Sequence, residues 1–87
     1  MSILVTSPCT ETTIQELGIK NWPIWTCDVR SFDWTYEDQE TCLFLEGEVT
    51  VIPADGAPVQ FGAGNLVVFP AGIDCQWDVQ KAVRKYY

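Results

Sequence analysis

Residues 40–72 read ETCLFLEGEVTVIPADGAPVQFGAGNLVVFPAG, and the fold is decided here. Glu40–Glu46 and Glu48–Ile52 are strand-like runs of alternating or β-branched residues, divided by Gly47, a residue that marks a bend or bulge inside a strand. Asp55-Gly56, flanked by Pro53 and Pro58, predicts a tight hairpin joining Val49–Val51 to Val59–Phe61. Gly62-Ala63-Gly64-Asn65 turns the chain again. Leu66–Phe69 is a continuous apolar run of the kind found in a buried strand, and Phe69-Pro70-Ala71-Gly72 suits a type I turn with proline at its second position.

The flanking sequence continues the pattern. Phe32, Trp34 and Tyr36 alternate with Asp33, Thr35 and Glu37, so three aromatics share one strand face. Cys75, Trp77 and Val79 alternate with Asp74, Gln76 and Asp78, which points the first set inward. Ala82–Tyr86 forms a last strand and Ile3-Leu4-Val5 an edge strand. The single helical signal is Thr13-Ile14-Gln15-Glu16, a capping box, with Gly18 closing a turn or two of helix. Eight or nine short strands, punctuated by glycine and proline, predict an all-β sandwich or barrel. Residues 1–20 form an N-terminal segment and residues 21–87 the main domain.

Composition narrows the functions available. The chain has 87 residues, 47% of them hydrophobic, enough for one small globular domain whose core volume comes largely from four Trp, three Tyr and four Phe. A net charge of −7 repels phosphate backbones and anionic lipid, so no nucleic-acid or membrane partner is expected. The longest apolar run, Leu66–Ile73, contains Pro70 and Gly72 and is far shorter than the roughly 20 residues of a span. Met1–Val5 shows neither a basic n-region nor an apolar h-region, which makes the cytosol the expected compartment. Cys9, Cys27, Cys42 and Cys75 form no C-x-x-C pair, and free thiols are expected. There is no histidine, which removes the usual general base and the commonest metal ligand. An exposed Ile3–Val5 edge invites pairing with a second copy, hence a homodimer.

The spacing of Glu40, six residues, Gly47, and of Gly64, five residues, Pro70, one residue, Gly72, resembles the two motifs of the cupin family. Asn21-Trp22-Pro23-Ile24-Trp25, Phe32-Asp33-Trp34, Leu45-Glu46-Gly47-Glu48-Val49, Cys75-Gln76-Trp77 and Val83-Arg84-Lys85 are similar to the small stand-alone cupins grouped with the ureidoglycine aminohydrolase cupin domain. The resemblance implies a double-stranded β-helix, or jelly-roll barrel, with at most one short N-terminal helix. It also implies a metal-dependent aminohydrolase. The family's metal is held by two histidines, a glutamate and a third histidine, and those positions here are Trp34, Tyr36, Glu40 and Cys75. An indole has no lone pair for a cation, and Glu40 with Cys75 falls short of the three protein ligands usual for catalytic zinc, so neither metal nor cofactor is expected.

Within such a barrel, Trp34, Tyr36, Glu40, Cys75 and Trp77 would meet at the inner mouth. Two readings follow. In one, an aromatic-walled pocket binds a small polar or planar metabolite, and Glu40, its pKa raised by neighbouring indoles, acts as general acid or base. In the other, these side chains plug the barrel of a non-catalytic structural dimer, and Glu40 is held ionised by Arg30, Arg84 or backbone donors. Cys75 has no histidine to activate it and reads as a core thiol. Trp22 and Trp25 read as core or dimer packing, and Lys81, Arg84 and Lys85 as a short basic end.

Overall fold

The computed structural model describes residues 3–6, 11–54 and 56–87. Chain order is β1 (Leu4–Thr6), α1 (Glu11–Leu17), a 3-10 turn (Ile19–Asn21), β2 (Ile24–Cys27), β3 (Arg30–Thr35), β4 (Glu40–Pro53), β5 (Val59–Gly62), β6 (Leu66–Phe69) and β7 (Asp74–Tyr86). All strand pairs are antiparallel. The sheet runs β1-β6-β4-β7-β2, with β3 also on β7 and β5 also on β4.

The long strands β4 and β7 organise the molecule. They pair from Leu43↔Tyr86 to Pro53↔Cys75, with register shifts between Phe44 and Val49. The first half of β4 carries β6 on its other edge and the second half carries β5. In the same way β7 carries β3 along its first half and β2 along its second. The two long strands therefore belong to two half-sheets, and the bend between the halves folds one over the other. This is a small all-β barrel, as the strand pattern predicts, of the jelly-roll kind that the cupin resemblance implies.

Among the described residues seven strands replace the eight or nine expected, because two expected breaks lie inside continuous strands. Gly47 sits at φ 104, and a Cβ there would lie 2.5 Å from the Ala82 carbonyl oxygen. A bulge bends the strand and keeps the ladder bonded on both sides, whereas a full break would orphan backbone groups in the core. Ala82–Tyr86 likewise continues β7. The turn after β6 is carried by Ala71 and Gly72, one residue later than expected, with Gly72 at φ 82. Helix α1 starts at Glu11, so Thr13 lies inside it and is not its cap. Asp55 and Cys9 lie outside the described residues.

Buried Phe44, Val49, Val51, Phe61, Phe69 and Trp77 fill the deep interior between the half-sheets. Each such side chain contributes on the order of 1.5–3 kcal/mol by leaving water. Ile19, fully buried by the turn that follows α1, caps a smaller cluster with Leu43 and Leu66.

Candidate functional site

The inward alternation of β7 continues past Cys75, Trp77 and Val79 to Val83 and Lys85. Lys85 is thereby aimed into the barrel and is only 5% exposed. Its cross-strand neighbours are Trp25 on β2 and Phe44 on β4. The ammonium lies 4.8 Å from the Trp77 ring centroid, 5.0 Å from Trp25, 5.7 Å from Phe44 and 5.9 Å from Phe69. Four π-faces that would otherwise line an apolar core thus solvate one cation.

Two hydrogen bonds add to these contacts. Lys85 Nζ donates to Glu40 Oε2 at 3.2 Å and to Cys42 Sγ at 3.3 Å, and the Cys42 thiol donates to the same Oε2 at 3.0 Å. Glu40 and Cys42 meet Lys85 because they occupy alternate positions at the start of β4, where it enters the barrel beside Phe69. Burial pushes the Cys42 thiol up to about 12; Lys85 opposes this, while Glu40 adds to it. Cys42 accordingly keeps its proton and serves as a donor.

Above this floor is a cavity of about 190 Å³, lined by Trp25, Phe32, Trp34, Tyr36, Glu40, Trp77, Lys85 and Tyr87. At roughly 30 Å³ per water it holds about six. The barrel is therefore packed at depth and open at its mouth, so the plugged interior describes only its lower part. Phe32 stacks on Trp77 at 5.8 Å and Tyr36 on Phe69 at 4.6 Å, which makes the walls rigid. Trp34, 53% exposed, meets Tyr36 edge-on at 6.4 Å and stands at the rim.

Of the residues singled out from sequence, Trp34, Tyr36, Glu40 and Trp77 converge on the cavity. Cys75 does not line it. Its thiol lies behind the wall, 3.5 Å from the Trp34 carbonyl oxygen, and is pushed up by burial and then by Asp74. Glu40 faces an ammonium in place of bare indoles, and that partner is Lys85, not Arg30 or Arg84. Arg30 instead stands over the Phe32 ring at 5.0 Å. Trp25, Phe32, Lys85 and Tyr87 are the lining residues that sequence reasoning missed as site residues. The signal was present: Lys85 has the parity of Trp77 and Val83.

The residues do not fit the metal that cupin relatives imply. Tyr36 is pushed well above the ordinary phenol range, first by burial and then by Glu40, so it offers a neutral phenol and not a phenolate. The Trp77 indole N–H lies near enough to Tyr36 to oppose this slightly, yet it makes no hydrogen bond of acceptable geometry. Glu40 Oε2 is already engaged by an ammonium and a thiol, and a second cation there would be repelled by Lys85. Among the described residues no three His, Cys, Asp or Glu side chains group as a metal site.

Comparison with known proteins agrees with this fold. The sequence matches the model of the EutQ-like cupin domain over residues 14–87. Among solved structures it is similar to a DUF861 family protein, TM1112, from Thermotoga maritima, with 40% identity, a TM-score of 0.94, and coverage of 98% of this chain and 96% of that one. The Clostridium difficile EutQ protein is 27% identical with a TM-score of 0.63; 74% of this chain aligns with 52% of that one, so the chain spans about half of EutQ. A protein of unknown function (DUF1255) from Acidithiobacillus ferrooxidans, 18% identical with a TM-score of 0.68 over 70% of this chain and 58% of that one, shares the fold alone. Comparison with curated proteins finds no match. A family match across residues 14–87 and a near-full-length relative lead to one conclusion: the chain belongs to the EutQ-like cupin domain family.

Proposed function

We propose that the protein is a metal-independent cupin that binds a small planar metabolite in the mouth of its barrel. The observation that carries this reading is the Lys85–Glu40 pair, 3.2 Å apart, at the floor of a cavity walled by aromatic rings. Such a site offers stacking surfaces for affinity and two polar groups for orientation, the usual division of labour in a ligand pocket. In this reading Glu40 is also the group that exchanges protons with a bound ligand, as a carboxylate base paired with an ammonium. A ureidoglycine-type aminohydrolase would need a metal cage, and the donors described above do not make one.

Free thiols at Cys27, Cys42 and Cys75 support a reducing compartment, the cytosol. No helix among the described residues is long and apolar enough to cross a membrane. A homodimer formed through β1 completes the proposal. That strand lies at the end of the sheet path, with Leu4 60% and Val5 39% exposed.

An NMR screen of planar fragments tests the pocket. Binding should move the indole N–H resonances of Trp25, Trp34 and Trp77 together. Fragments that bind elsewhere while these three stay fixed would contradict it. Once a turnover reaction is found, Glu40→Gln should abolish it, and unchanged turnover would move the proton transfer to another residue.

A further inference from the structure

We infer that the ligand is electrically neutral and carries a cis-amide edge, an N–H beside a C=O on one side of a flat ring, as in lactams and cyclic imides. This rests on the pocket reading above and specifies its ligand class. Charge is the first consideration. The aromatic cage that would attract a cationic ligand already holds the protein's own ammonium, at 4.8–5.9 Å from four rings. A second cation in the cavity would meet Lys85 with its π-partners in use. An anion fares no better, because Glu40 neutralises Lys85 at 3.2 Å and the whole chain carries −7. Burying a charged ligand against a neutral pair forfeits its hydration without a matching counter-charge.

The hydrogen-bond inventory supplies the second argument. An ammonium has three donors and an ionised carboxylate two acceptor oxygens. Among the described residues, Lys85 Nζ makes two of its three bonds, to Glu40 Oε2 and Cys42 Sγ. Among the same residues Glu40 Oε2 accepts both bonds to its carboxylate, and Oε1 has no side-chain partner. Both residues line the cavity. Its floor therefore presents one spare donor beside one spare acceptor, held next to each other by the ion pair itself. A cis-amide is complementary to that pair: its carbonyl accepts from Lys85 and its N–H donates to Glu40 Oε1. The flat ring that makes the amide cis also suits a cavity whose lining includes Trp25, Phe32, Trp34 and Trp77. A cavity of about 190 Å³ admits a single small ring.

The test changes the ligand and leaves the protein intact, so misfolding does not enter. Binding of 2-pyridone is followed through the indole N–H resonances of Trp25, Trp34 and Trp77. Its 4-methyl derivative controls for added bulk, and N-methyl-2-pyridone removes the donor alone. Benzoate and benzamidinium supply the anionic and cationic alternatives. 2-Pyridone and 4-methyl-2-pyridone should bind comparably, with N-methyl-2-pyridone weaker by about tenfold or more, the loss of one hydrogen bond to a charged group. Benzoate and benzamidinium should bind more weakly than 2-pyridone. Tighter binding of either ion at the same indoles would overturn the cis-amide inference while leaving the pocket standing. Equal binding of the N-methyl compound would do the same. If none of the five moves the indoles, both the inference and the pocket fall.

Discussion

A lysine inside a barrel of phenyl and indole rings is costly unless every feature of its surroundings compensates. Here π-faces, a carboxylate and a thiol do so together. Lys85→Met should therefore lower stability by about 1–3 kcal/mol, less than breaking a fully buried pair costs, because Glu40 is part-exposed. Adding Glu40→Gln should recover part of that loss, measured by urea unfolding of the two single variants and the double. Additive losses would show that the two residues are not coupled. Cys42 makes a prediction with a definite sign. Its folded thiol, at about 12, holds a proton more tightly than the ordinary value of 9.0 expected once unfolded. The resulting stability is intact below the unfolded value and is lost as pH rises from 9.0 toward about 12, since the unfolded chain then binds fewer protons. Burial of Tyr36 and Cys75 acts in the same direction. Cys42→Ala should flatten the alkaline decline of urea-unfolding midpoints relative to the unsubstituted protein. A decline of unchanged slope would contradict the assignment.

At the scale of the elements, the bulge at Gly47 lets β4 serve both half-sheets. Gly47→Ala should destabilise by about 3 kcal/mol or more, because its Cβ would strike the Ala82 carbonyl at 2.5 Å and φ is 104. Gly18→Ala, at φ 64 with open space around it, should cost only about 1 kcal/mol. Thermal unfolding of the two variants distinguishes them, and equal losses would mean that the close approach at Gly47 is relieved. The hairpin of β4 and β5, the buried run of β6 and the inward face of β7 are all legible in the sequence, because alternation and turn residues are local properties. The merging of strands across Gly47 and before Ala82 is not. Whether a glycine ends a strand or bulges it depends on partners far along the chain. The same limit hides the counterion of Glu40. Parity aims Lys85 inward, but treating three nearby bases as a charged surface end obscured it. That Trp25 is a wall of the cavity follows only from its pairing with Lys85 across β2 and β7.

For the whole molecule, the exposed β1 edge and its apolar side chains predict self-association. Light scattering should give twice the 9.8 kDa chain mass. Val5→Lys should shift the protein to the monomer, and an unchanged mass would place any interface elsewhere. The pocket is built from β2, β3, β4 and β7, none of which is β1, so binding should survive that shift. The central claim is that the protein's own ammonium, not a metal ion, occupies the carboxylate at the barrel floor. Anomalous diffraction from crystals grown with excess zinc or manganese, of protein purified without chelator, tests it most directly. The account predicts no anomalous peak in the cavity and Lys85 Nζ within hydrogen-bond distance of Glu40. A strong peak bound to Glu40, with the lysine displaced, would contradict it.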